Sequence, residues 1–135
     1  MTRKLLLCPP DFYGIEYEIN PWMSRSQGAD VPLARVQWQR LHETLRGLGC
    51  DIELLAPQPK LPDMVFTANA GLLVGRKFIR SNFRFAERRG EEAHFEKWFA
   101  DHGSEIVRLP DGLFFEGEGD ALFCGEVLFC GYRFR

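Results

Sequence analysis

Glu116, Glu118 and Asp120 alternate with Gly117 and Gly119, directly after Phe114-Phe115 and directly before the apolar run Ala121-Leu122-Phe123-Cys124. Carboxylates set at the mouth of an apolar segment are suited to holding something cationic, and three readings stand. The first is a tight solvated turn, whose glycines supply positive φ angles while the acids face water. The second is a divalent metal site, although hard cations want more oxygen ligands at alternating positions and no EF-hand register is present. The third is a guanidinium clamp, because a carboxylate matches that planar fork through two parallel charge-assisted hydrogen bonds. A cationic ligand would also remove the cost of a buried, unpaired carboxylate.

A second candidate is Pro62-Asp63-Met64-Val65-Phe66-Thr67-Ala68-Asn69-Ala70-Gly71. As structure it reads as a strand entering a turn at Asn69 to Gly71. As chemistry, Asp63 could accept from a cationic substrate, and Asn69 could orient that substrate or a water. His42, His94 and His102 fall on predicted helices and read as surface or core-edge residues. None neighbours a cysteine or serine in a nucleophilic motif.

The chain that must position these groups has 135 residues, 45% of them apolar, 13% aromatic and 27% charged, which describes a globular protein with a real core. A net charge of -2 provides no electrostatic case for nucleic acid. Arg84, Arg88 and Arg89 stand among Glu87, Glu91 and Glu92, and read as a mixed-charge surface. No apolar run nears the roughly 20 residues of a membrane span, and Met1-Thr2-Arg3-Lys4 leads into too short a segment for a signal peptide. Cys8, Cys50, Cys124 and Cys130 lack metal-ligand spacing, so reduced, mostly buried thiols and a cytoplasmic location are expected.

Local signals divide the chain clearly. Lys4 to Cys8 is a short buried strand closed by Pro9-Pro10, and Asp11 to Gly28 is a long loop. Ala34, Trp38, Leu41, Leu45 and Leu48 repeat at helical spacing, with Asp30 as cap, Pro32 in the first turn and Gly49 as stop. Asp51 to Ala56 is a strand, and Leu72 to Val74 with Lys77 to Ile79 form a hairpin about Gly75-Arg76. A second helix is predicted over Glu91 to His102, with Phe95, Phe99 and His102 on one face and Gly103 behind it. Glu105 to Leu109 is another strand, and Ala121 to Cys124 with Val127 to Cys130 make a second hairpin about Gly125-Glu126.

The two halves match in order: helix, glycine, strand, proline-bearing loop, polar apex, strand, glycine turn, strand. Gly49 answers Gly103, Ile52 answers Ile106, Asn69-Ala70 answers Asp120-Ala121, and Gly75 answers Gly125. This is an internal repeat of about 50 residues, covering roughly 30–80 and 88–135, and such a period suggests a propeller or array. Two repeats and a lone strand should expose core, so the chain is expected to be incomplete.

Several segments together resemble the guanidine-modifying amidinotransferase (pentein) superfamily: Leu7-Cys8-Pro9-Pro10, Ile19-Asn20-Pro21-Trp22-Met23, Asp63 to Gly71, Glu87 to Glu92, Phe115 to Phe123, and Gly131-Tyr132-Arg133-Phe134-Arg135. Within it the chain is similar to the dimethylarginine dimethylaminohydrolase-like proteins and, more closely, to the catalytic domain of bacterial arginine dihydrolases. The match runs in order through nearly the whole chain.

The resemblance implies an α/β fold, a partial propeller of ββαβ-type units, two to three of five being present. Residues 1–135 would be the amino-terminal portion of a single catalytic domain. It also implies a cysteine nucleophile that attacks the guanidinium carbon, a histidine acid/base, and no metal or organic cofactor. The family's catalytic acid falls on Glu116, its site aspartate on Asp63, its asparagine on Asn69 and a carboxylate-binding arginine on Arg135. Phe66 belongs to the same substrate-binding motif, and Glu118 and Asp120 are supporting candidates. Asn82 stands where the dihydrolases carry a second substrate-binding arginine, with Arg80 and Arg84 nearby. The family's histidine and cysteine fall beyond Arg135. The expected function is hydrolysis of the guanidinium group of arginine or a substituted arginine, the partner being a small guanidino molecule and neither nucleic acid nor membrane. The alternative is a binding protein that holds a basic guanidino ligand without turnover.

Overall fold

Asp30 opens the first helix through its side chain, Oδ1 accepting from the Leu33 N–H at 2.9 Å, and Pro32 sits in the opening turn where it costs no hydrogen bond. The helix, α1, runs Val31–Gly47. It ends in a Schellman motif: the Gly49 N–H donates to Arg46 O and the Cys50 N–H to Leu45 O, with Gly49 at φ 80°. The second helix, α2, spans Ala86–Asp101 and ends the same way, Gly103 donating to Ala100 O and Ser104 to Phe99 O, with Gly103 at φ 82°. The pairing of Gly49 with Gly103 in the repeat is therefore a pairing of helix stops.

The computed structural model describes residues 3–131, and the chain divides into two compact units, Met1–Thr67 and Ala68–Arg135. In the first unit, β1 (Lys4–Leu7) pairs in parallel with β2 (Asp51–Leu54), Leu5 standing opposite Ile52, and α1 is the crossover between them. Cys8, Leu55, Pro62 and Met64 are buried in this unit. Helix α1 buries no residue fully; its Leu33, Val36 and Leu41 are exposed, and so is Leu48, which follows its last turn.

The second unit begins with a hairpin. Strand β3 (Gly71–Val74) pairs antiparallel with β4 (Lys77–Arg80), and β5 (Glu105–Val107) lies parallel to β4 on its other side, with α2 as the crossover. This is a ββαβ group. Strands β6 (Ala121–Cys124) and β7 (Val127–Cys130) form a second hairpin, joined across Cys124 and Val127 as β3 and β4 are across Val74 and Lys77. The core of this unit is aromatic: Phe78, Phe83, Phe95 and Phe99 are buried, and Phe78 stacks on Phe99 at 3.7 Å between ring centroids.

Three expectations change. Helix α2 starts five residues before Glu91, because Arg88 and Glu91 lie one turn apart and pair there. Residues 62–70 form no strand. They make two short 3-10 helices, Pro62–Val65 and Thr67–Ala70, with the Phe66 N–H closing back on Asp63 O at 3.0 Å. Of the four free thiols, Cys8 is buried and Cys50 half-buried, but Cys124 and Cys130 are exposed because they sit on the open hairpin β6–β7. No helix among the described residues is long and apolar enough to cross a membrane.

Candidate active site

The three acids of the Glu116–Asp120 cluster do different work. The chain turns there through a 3-10 helix, Gly117–Gly119. Asp120 Oδ2 accepts from the Glu116 N–H at 2.7 Å, so this carboxylate ties the turn to itself. Glu118 is exposed and Glu116 is half-buried. Gly117 has φ 60°, and a Cβ built on it would lie 2.6 Å from Ala68 O and 2.7 Å from Gly71 N. Only glycine allows the acidic turn to lie this close against the backbone of Ala68–Gly71.

That close approach brings Asn69 to Glu116. The Asn69 side chain donates from Nδ2 to the Glu116 carbonyl oxygen at 3.3 Å. Its Oδ1 accepts from Arg88 Nη1 at 3.0 Å, and its own carbonyl accepts from the buried Ser81 hydroxyl. Ser81 also donates its N–H to Ala70 O at 3.0 Å, so the segment carrying Asn69 is held from several sides.

Arg88, Glu91 and Glu92 contradict the mixed-charge surface expected of them. Their exposures are 4%, 0% and 9%. Arg88 donates from Nε and Nη2 to the two oxygens of Glu91, each at 2.9 Å, and its guanidinium carbon lies 4.4 Å from the Phe83 ring centre. Glu92 accepts from the Phe83 N–H at 2.8 Å and pairs with Arg80 Nη2 at 2.9 Å. These buried charges are compensated by partners, as burial demands. A sequence signal for them exists: Arg88, Glu91, Phe95 and Phe99 are spaced 3, 4 and 4, which continues the apolar face of α2 backwards into charged residues.

Arg80 and Glu96 extend the ion pairs onto the helix exterior. Glu96 takes Arg80 Nη1 at 3.3 Å and Arg108 Nε at 2.9 Å, with a further bond from Arg108 Nη2. Hydrogen bonding from Arg108 holds the Glu96 carboxyl below the usual carboxylate range, with burial opposing and the charges of Arg108 and Arg80 assisting.

The remaining sequence candidates are placed as follows. Asp63 is buried at 4% exposure, on the 3-10 helix Pro62–Val65 of the first unit. Phe66, in that unit, is exposed and meets Tyr13 edge-on at 6.1 Å between ring centres. Asn82 forms a bridge with Phe115 through both backbone groups, and its Nδ2 donates to Leu113 O at 2.7 Å and Pro110 O at 3.5 Å. In this structure the Asn82 amide therefore pins the loop leading to Glu116. Arg84 is exposed, 5.8 Å from the Phe114 ring centre. Arg135 lies outside the described residues. His42 stacks on Trp38 and the exposed His102 on Trp98. Among the described residues no group of three or more His, Cys, Asp and Glu side chains could hold a metal ion.

Comparison with known proteins finds no matching family model but several relatives. The chain is 44% identical over 135 residues to the bifunctional arginine dihydrolase/ornithine cyclodeaminase ArgZ of Synechocystis sp., covering 98% of this chain and 19% of ArgZ. It is 40% identical over 134 residues to the N(G),N(G)-dimethylarginine dimethylaminohydrolase of Mycobacterium tuberculosis, covering 99% of this chain and 44% of that enzyme. Its fold superposes with a TM-score of 0.89, at 42% identity, on the N-terminal domain of ArgZ solved covalently bound to a reaction intermediate, covering 96% of this chain and 48% of that one. The chain thus spans less than half the length of these relatives.

Proposed function

The chain belongs to the guanidine-modifying amidinotransferase superfamily, beside the arginine dihydrolases and dimethylarginine dimethylaminohydrolases, and we propose that its full-length protein is a cofactor-independent hydrolase of arginine or a substituted arginine. The observation that carries this reading is the junction of Asn69 with Glu116, two residues from separate polar apexes joined at 3.3 Å by an amide-to-carbonyl hydrogen bond.

In the proposed reaction a cysteine thiolate attacks the guanidinium carbon and forms a C–S bond. The C–N bond to the leaving nitrogen breaks, and a histidine supplies the proton with which that nitrogen departs as ammonia or an alkylamine. Water then adds to the resulting thiouronium carbon, the C–S bond breaks, and the thiolate returns with a ureido product left behind, which a further hydrolysis would convert to ornithine, carbon dioxide and ammonia where the protein acts as a dihydrolase. Thiolate rather than thiol is needed for the first step. Both the cysteine and the histidine would come from sequence other than these 135 residues. Glu116 would grip the guanidinium by charge-assisted hydrogen bonds and orient it, contributing to a proximity effect that as a whole can reach about 7–11 kcal/mol. Asn69 would orient the same group or the attacking water. Asp63, Phe66 and Arg135 carry the substrate contacts that the family motifs imply, with Asn82, Glu118 and Asp120 as further candidates. The ββαβ group β3–β4–α2–β5 fits one blade of a propeller built from such groups.

The test uses full-length protein with L-arginine and N-methylated arginines, following ammonia, alkylamine and ureido product. Turnover is expected, and Glu116→Gln should lower it by about 100-fold or more while far-ultraviolet circular dichroism is unchanged. Tight binding of a guanidino compound without any turnover would instead make the protein a binder, and a Glu116→Gln variant as active as wild type would remove Glu116 from the reaction.

A further inference from the structure

Glu91 takes no step in the proposed chemistry, yet its carboxylate is wholly buried at the first turns of α2. A charge so placed is tolerated only when its partner geometry is good, and here both oxygens are taken by one guanidinium, at 2.9 Å each. A two-point grip fixes the plane of that guanidinium, which a single bond would leave free to turn. Arg88 Nη1 is thereby aimed at Asn69 Oδ1, 3.0 Å away.

The consequence lies in the donor and acceptor types. A guanidinium can only donate, so the end of the Asn69 amide that faces Arg88 must be its oxygen. Its NH2 end then points the other way, at the Glu116 carbonyl oxygen. The orientation of an asparagine amide is ordinarily loose, and here Arg88 dictates it. Arg88 is dictated in turn by Glu91.

We propose that Glu91 is a positioning residue: by gripping Arg88 with both carboxylate oxygens, it sets the amide of Asn69, and through it the backbone of Glu116, in the orientation the guanidinium substrate meets. This rests on the assignment of Asn69 and Glu116 to the active site. Its function is distinct from packing, since an apolar side chain at position 91 would fill space without orienting Arg88.

A double-mutant cycle on the full-length enzyme tests it. Glu91→Gln should lower kcat by roughly 10- to 100-fold, the range a small misplacement of a site group produces, and should alter KM less. In an Asn69→Ala background the same substitution should cost only about twofold more, because the group it positions is gone. Equal losses in both backgrounds would mean that Glu91 acts on stability alone and would overturn the proposal. Wild-type activity in Asn69→Ala by itself would overturn the underlying site assignment instead, a separate failure. Where Glu91→Gln does not fold, nitrogen-15 NMR of the wild-type enzyme decides. The Arg88 Nε–H should exchange slowly and lie close to the Glu91 carboxylate, whereas exchange at the rate of an exposed arginine would overturn the proposal.

Discussion

Arg88 and Glu91 face each other one helical turn apart, joined by two hydrogen bonds of 2.9 Å, with side-chain exposures of 5% and 0%. The pair lies directly behind Asn69, so the charged first turns of α2 supply the support for the polar apex at residue 69.

Removing one member of this pair should be far worse than removing both. Glu91→Ala leaves a buried guanidinium short of its main partner and should destabilise the protein by about 3–5 kcal/mol. Replacing both residues with apolar ones, Arg88→Met with Glu91→Leu, should recover most of that loss, because no buried charge is left stranded. Urea unfolding midpoints of the two variants provide the comparison.

Gly117 should tolerate no side chain. Gly117→Ala puts a Cβ against the Ala68 and Gly71 backbones and forces alanine into φ 60°. The backbone conformation alone costs roughly 1–2 kcal/mol, and relief of the clash must push the Glu116 turn away from Asn69. Thermal melting should show the loss of stability, and activity of the full-length protein should fall further than Gly75→Ala lowers it, since Gly75 meets no atom within 4 Å.

Glu96 should make stability depend on acid pH. Its folded-state carboxyl is held below the ordinary value of 4.5, chiefly by hydrogen bonding from Arg108. A carboxyl depressed on folding contributes stability that is complete above its unfolded value and lost as pH falls through its folded one. The melting-temperature difference between wild type and Glu96→Gln should therefore be steady near neutrality and shrink as pH is lowered below about 4.5. A difference that stays constant down to pH 2 would show that the ion pairs with Arg80 and Arg108 do not set this stability.

Local rules made much of the fold readable. Asp30, Gly49 and Gly103 bound the helices because a cap and a left-handed residue act within a few positions of themselves. Gly75 and Gly125 made the hairpins readable for the same reason. Residues 62–70 misled because Val65, Phe66 and Thr67 favour strands individually, whereas the backbone closes on itself through short hydrogen bonds such as Phe66 N–H to Asp63 O.

By itself the sequence determined the order of the helices and paired strands, the family resemblance, and the two polar segments that hold Asn69 and Glu116. Only the tertiary structure decided that Asn69 and Glu116 meet, that one oxygen of Asp120 ties the turn, and that Arg88, Glu91 and Glu92 are interior. Caps, turns and periods are governed by near neighbours in the chain, and so they are written in spacing. Burial of a charge depends on what else arrives there: Phe83, Asn69 and the aromatic face of α2 must first assemble around Arg88. That assembly is a property of the packed chain, and it turns a run of charged residues into the support of a candidate active site.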